Sequence, residues 1–187
     1  MSQADSPQLL GPDPIAAAQR DDGSLSNDDL ISAYEGGPQH LRDAVAGLSH
    51  EHLRARPVEG RWSTLEVVCH LADCEQFFAD RMKRTIATER PLLLGAQGGR
   101  YPEPLFYHER DLGEELDLIA LTRRQMARIL RLLPEGAWGR TAVHSETGLV
   151  TLRQLVIHAV RHQEHHLWFV AEKRLAMGVP IPGEAGR

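Results

Sequence analysis

A chain of 187 residues is long enough for one domain with a full hydrophobic core and short for two. With 42% hydrophobic residues, 25% charged residues and a formal net charge of −5, it reads as a soluble globular protein. It has no basic stripe to neutralise phosphates, which argues against nucleic acid, and no apolar run near the roughly 18 residues of a membrane span.

The opening residues, MSQADSPQLLGPDP, have neither the basic nor the hydrophobic region of a secretory signal. Residues 1–26 are rich in Ser, Asp, Gln, Pro and Gly, and are expected to form a flexible N-terminal tail with a short helical piece at residues 15–20. The folded domain is placed at 27–178, with a C-terminal tail at 179–187.

A first helical region spans about residues 27–48. Gly36, Gly37 and Pro38 interrupt it, and a proline suits a first helical turn better than an interior, so a break and a restart at Pro38 are expected. Leu41, Ala44, Val45 and Leu48 then supply an apolar face. Residues 49–62, with Pro57 and Gly60, read as a loop that Trp62 closes. Ser63 and Glu66 have capping-box spacing and open a second helix that runs to about Thr88. Residues 89–107 hold three glycines and three prolines, too many breakers for a helix. A loop of that length is expected to be functional, here as a cover for a pocket mouth.

Leu112, Leu116, Ile119, Met126, Leu130 and Leu133 mark the inward stripe of a third helix, about residues 109–133, with Arg123 in the same register. Residues 134–150 form another loop, with an extended stretch near residues 141–144. Thr151 and Gln154 cap a fourth helix, and Gly178 with Pro180 stops it. Four long helices without a convincing alternating strand predict an all-α, antiparallel four-helix bundle with long inter-helix loops. One or more of those loops would carry the chain across a bundle end.

The chemistry concentrates in histidines. HAVRHQEHH, residues 158–166, places His158, His162 and His166 at i, i+4 and i+8, drifting only about 40° per step around the helix. His162 and His166 sit one turn apart, a separation that lets both reach one ion, whereas His165 points elsewhere. Glu164 at i+2 faces nearly the opposite way and cannot serve as the base of an HExxH protease motif. Two imidazoles leave a metal site half built, and His70 on the second helix is the candidate third ligand. Asp73 and Glu66 flank it on the same helix side, where a carboxylate could orient its ring or become a fourth ligand. Three nitrogen ligands with open positions describe a catalytic site rather than a structural one. The same spacing also suits imidazoles that merely pack and hydrogen-bond in a core. His108 and His144, in or beside loops, read as solvated. Cys69 and Cys74 lie about 140° apart around one helix, so they cannot pair; two reduced thiols fit a cytoplasmic protein.

The stretch RWSTLEVVCHLADCEQFFADRM at 61–82, with HAVRHQEHHLWFV at 158–170 and GGPQHLRDAVAGLSHEHLRARPVEGRWS at 36–63, resembles the DinB-like/YfiT-like superfamily. The resemblance covers roughly residues 30–175. It implies a four-helix bundle with a three-histidine site for zinc, nickel or a similar divalent ion, its ligands falling on His70, His162 and His166. Some relatives are thiol-dependent enzymes, among them bacillithiol S-transferases and mycothiol-dependent maleylpyruvate isomerase, and members are often homodimers.

The resemblance therefore implies a metal-dependent thiol S-transferase acting on small electrophiles, with a low-molecular-weight thiol as cosubstrate. In that reading Asp73 orients His70, and Arg123 pairs with an anionic part of the substrate or else extends along a helix boundary. A metal-dependent hydrolase with Asp73 as base is the alternative within enzymes. A non-catalytic metal- or small-ligand-binding stress protein is the alternative outside them. The expected partners are a small-molecule substrate and a second copy of the chain.

Overall fold

In the computed structural model, which describes residues 23–180, four long helices surround a shared core. Most of the two expected tails, and the helical piece expected at residues 15–20, lie outside the described residues.

Helix α1 (Asn27–Val45) starts from a Ser26–Asp29 capping box and does not break at the glycine pair. Pro38 lies inside it, so the amide that would bond the Tyr34 carbonyl is missing. Arg123 Nη1 supplies a donor to that carbonyl at 3.2 Å, and Gln163 Nε2 donates to the neighbouring Gly37 carbonyl at 2.6 Å. Gly37 is required for this approach, because a Cβ there would collide with the Arg123 guanidinium and the Gln163 amide. The expected break is thus corrected: donors from two other helices hold the segment helical.

The segment expected as loop at 49–62 contains a short helix, α2 (His50–Arg54), capped by Ser49. Helix α3 (Thr64–Ala87) begins at the anticipated Ser63–Glu66 box. Helix α4 (Leu112–Arg131) is capped by Asp111, and α5 (Leu152–Ala176) opens on the Thr151–Gln154 box. Gly178 adopts φ +67° just beyond α5, the left-handed stop its position foretold.

Each long helix packs against two others, α1 and α3 both against α4 and α5. Helices α1 and α3 are therefore diagonal, as are α4 and α5, so the connections α1–α3 and α4–α5 each cross a bundle end. The four neighbouring pairs are not all antiparallel. Between α1 and α4, Arg42 meets Asp117 while Glu35 meets Arg131, which is antiparallel. Between α3 and α4, Gln76 bonds Thr122 and Lys83 bonds Gln125, which is parallel. Helices α1 and α5 are parallel, with Asn27 beside Arg153 and Ala44 beside Arg174. Helices α3 and α5 are antiparallel, with His70 near His166 and Phe78 near His158.

Parallel α3 and α4 explain the length of the 88–111 connection. After 24 residues of α3, about 36 Å of rise, the chain must return the whole way before α4 begins. On that path it forms β1 (Leu92–Leu93) and two short 3-10 turns at Gly98–Arg100 and Tyr107–Glu109. The 134–150 segment holds a third such turn, Glu135–Gly139, then β2 (Thr141–His144), with β3 (Gly148–Thr151) leading into α5. β2 pairs parallel with β1 and antiparallel with β3, a small sheet that periodicity did not reveal. Arg140 ties it to α3 by donating to the carbonyls of Thr85 and Thr88.

The core forms two main layers, with a smaller cluster of Leu53, Leu65, Cys69 and Tyr107 beside them. Leu41, Val68, Ile119 and Val170 represent one, and Tyr34, Met82, Met126, Leu130 and Val156 the other, every long helix contributing to both. Full burial of each such side chain contributes about 1.5–3 kcal/mol. No described helix is long and apolar enough to cross a membrane.

Candidate metal centre

Two stripes meet in the groove between α3 and α5. His70, Cys74, Phe77, Phe78 and Arg81 recur at helical spacing along α3, and Leu155, His158, His162, His165 and His166 along α5. They line a cavity of about 290 Å³ that Trp62 bounds at one end and β3 at the other. The return segment contributes Ala96, Gly98 and Gly99 to its wall.

His70, His162 and His166 each offer one ring nitrogen to a cluster whose atoms lie within 4.8 Å of one another. His70 Nε2 and His162 Nε2 are 3.3 Å apart. Two ligands each about 2.0–2.1 Å from one tetrahedral ion stand about 3.3 Å apart, so this pair already has coordination spacing. His70 and His166 are buried, and His162 is partly open toward the cavity. Burial pushes the His70 imidazolium down to about 4, against the opposing pull of Asp73 and a backbone acceptor at Gly98. Burial, then the neighbouring imidazoles, hold His162 and His166 well below the usual histidine range. All three rings are therefore neutral near pH 7, the form that binds metal. His166 Nδ1 is buried with no hydrogen-bond partner, a costly state for a ring with no further role. The donor set, its spacing and its protonation fit a borderline divalent ion such as zinc or nickel.

Gly98 orients His70. The Nε2 edge of the ring faces His162, and Gly98 packs against its Cε1–Nδ1 edge. A Cβ on Gly98 would stand 2.9 Å from His70 Cε1 and 3.2 Å from Nδ1, so only glycine permits this seat. Cys74 Sγ lies 3.5 Å from His70 Nε2, and burial pushes its thiol up to about 12, so it lines the site as a neutral wall. Cys69 is fully buried and donates to the Tyr107 carbonyl.

Three expectations for polar residues are corrected. Asp73 does not touch His70: Tyr107 Oη donates to one of its oxygens at 2.7 Å, and Arg110 Nη1 to the other at 3.0 Å. Its charge reaches His70 only through space, and it is absent from the cavity wall. Arg123 neither meets the cavity nor extends along a boundary. It is 2% exposed, donates to Glu75 Oε2 at 2.8 Å and to the Tyr34 and Ala159 carbonyls, and stacks over the Tyr34 ring. With Tyr34 Oη donating to the other Glu75 oxygen, this is a buried network that lies off the cavity wall. Glu66 is held by its own cap and by Arg56.

His144 is likewise not solvated, since β2 buries it in the cavity wall. Glu164 is exposed and pairs with Arg161, away from the site. Arg81 and Gly98 were missed in the sequence. Arg81 carried a legible signal, since it falls on the helical stripe of His70; Gly98 carried none.

Comparisons with known proteins agree with this architecture. The model of the DinB superfamily matches residues 33–170. A relative from Oceanobacillus iheyensis is 27% identical over 149 residues, 78% of this chain and 86% of its own length. YfiT from Bacillus subtilis is 26% identical over 152 residues, 81% and 85% of the two chains. Each bears a name that marks it as a candidate metal-dependent hydrolase. The solved structure of YfiT, described as having an unusual four-helix bundle topology, matches with a TM-score of 0.78 at 25% identity. That match covers 84% of this chain and 92% of the other.

Proposed function

Since this chain belongs to the DinB superfamily, we propose that it holds one divalent ion on His70, His162 and His166 and works as a metal-dependent hydrolase of a small molecule. The observation that carries this reading is the convergence of three neutral imidazoles from facing helices, within 4.8 Å, on the wall of a cavity. The names of the relatives support it. When bound, such an ion supplies Lewis acidity and a source of hydroxide near neutral pH. The chain supplies the rest. Gly98 and Cys74 pack against the His70 ring, and the return segment adds Ala96 and Gly99 to the cavity wall. His158, one turn from His162 and edge-on to Phe78 at 4.9 Å, is the imidazole we assign to take up the proton at a ring nitrogen.

One observation favours a second reading, metal-dependent thiol S-transfer. Asp73, the carboxylate nearest in sequence to His70, is occupied by Tyr107 and Arg110. A cosubstrate thiol would bring its own nucleophile and lessen the need for a protein base.

The two are separated by assaying zinc- and nickel-loaded protein on ester and amide panels without thiol, and on electrophiles with added thiol. Thiol-independent turnover that disappears with stoichiometric metal in His162→Ala is the expected result. Turnover only with thiol would replace hydrolysis by transfer. Wild-type protein that takes up no stoichiometric metal after supplementation would remove both.

A further inference from the structure

The cavity has a second polar end, far from the histidine cluster. Arg81 lies eleven residues beyond His70 on α3, about 16 Å along the axis.

Arg81 is 8% exposed yet lines the cavity. Its one hydrogen bond among the described residues runs from Nη2 to the Leu94 carbonyl at 2.6 Å, and it forms no ion pair there. A guanidinium offers five N–H donors, so most of its capacity is unused. A buried cation without a carboxylate is costly, and a cavity wall is where a ligand can repay that cost. Two carboxylates act on it through space, Glu146 and Asp80; Glu146 is exposed, lines the cavity and packs on Gly95.

His144 stands at the same end, 8% exposed. Its Nδ1 accepts from the Glu146 amide at 3.3 Å, so the neutral ring carries its proton on Nε2 and can act as a second donor. Burial, then the Arg81 charge, keeps it neutral. Between the two ends Phe77, Phe78, Val150 and Leu155 supply apolar wall, with His158 and Gln154 beside them.

We propose that Arg81 and His144 form a carboxylate-anchoring subsite. The substrate class is then a carboxylate-terminated molecule with an apolar middle that places its reacting bond at the histidine cluster. The location of the reacting bond rests on the proposed hydrolase reading; the anchor does not. Arg81 is the main contact, because a guanidinium can hold both carboxylate oxygens.

The test is calorimetric titration with 6-phenylhexanoate and its neutral amide, on metal-loaded and on chelator-treated protein. Wild type is expected to bind the carboxylate at least 10-fold more tightly in both states. Arg81→Met should erase the gap while leaving amide affinity and metal content unchanged, and Arg81→Lys should keep part of it. If Arg81→Met does not fold, His144→Phe and Arg81→Lys must each narrow the gap. No gap in wild type, or a gap that needs metal and survives these variants, overturns the anchor. An Arg81-dependent gap in protein that never loads metal leaves the anchor standing and sinks the hydrolase reading. Metal-dependent hydrolysis without such a gap does the reverse.

Discussion

Arg123 donates to the carbonyl of Tyr34, the acceptor that Pro38 leaves open in the middle of α1. A residue that sequence register offers as a substrate contact thereby serves the backbone of another helix. Its second obligation is the Glu75 carboxylate, only 2% exposed. Removing the guanidinium would strand both groups.

Arg123→Met is therefore expected to lower unfolding free energy by about 3–5 kcal/mol, the usual cost of breaking a buried ion pair from one side. Metal stoichiometry should survive in the cold. In a Pro38→Ala background, an amide can again reach the Tyr34 carbonyl, and the penalty should shrink by about 0.5 kcal/mol or more. Urea denaturation of the four proteins gives the coupling. Unchanged stability in Arg123→Met with lost turnover would return the residue to the substrate.

Gly98→Ala should weaken metal binding by about 10–100-fold, the range for losing an orienting partner of a ligand histidine. Its φ is not in the left-handed region, so no backbone strain is added, and the melting temperature of the metal-free protein should barely move. Competition titration against a chromophoric chelator measures the first effect and a thermal melt the second. Wild-type affinity in the variant would show that the His70 ring is held by something else.

Lys173 gives a pH signature. It is 1% exposed, donates to the Phe169 carbonyl and lies over that ring, and burial pushes its ammonium down to about 8. The folded pKa is below the unfolded value of about 10.4, so between them the unfolded chain binds more protons and stability rises with pH. Below about 8 both states are charged and the folded state carries the full penalty, up to about 3 kcal/mol. Lys173→Met should accordingly be more stable than wild type at pH 7, with the advantage fading toward pH 10. Denaturation midpoints at the two pH values check this. A constant difference would mean that the amine stays charged in the fold.

What could be read from the sequence was local. The caps at Ser63 and Thr151 depend on residues three apart, and the His162–His166 pair on one helical turn, so neither needs the rest of the chain. His70 could be nominated from the second helix but not joined to them by spacing, which cannot show that two helices face each other. The features that escaped are those settled by distant partners. Gly36, Gly37 and Pro38 would break an isolated helix, and only Arg123 and Gln163 keep this one whole. Asp73 stood beside His70 on the helix, but Tyr107 and Arg110 reach it from the return segment. His144 is buried only because β2 pairs with Leu92 and Leu93, about fifty residues earlier. The direction of α4 relative to α3 was implicit in the length of the 88–111 connection, whose glycines and prolines spoke only of a loop.

That connection has a consequence for anyone wishing to redesign the protein. One uninterrupted stretch sets the tilt of a ligand ring through Gly98, lines the chamber through Ala96 and Gly99, and holds the buried arginine through Leu94. Its ends are fastened to the frame by β1 pairing and by the Asp73 clamp. Grafting this segment alone onto another bundle of this kind would carry the His70 seat but neither the three histidines nor Arg81, which stay on the helices. A graft that keeps its shape needs its partners as well, Asp73 and Arg81 on α3 and the β2 strand.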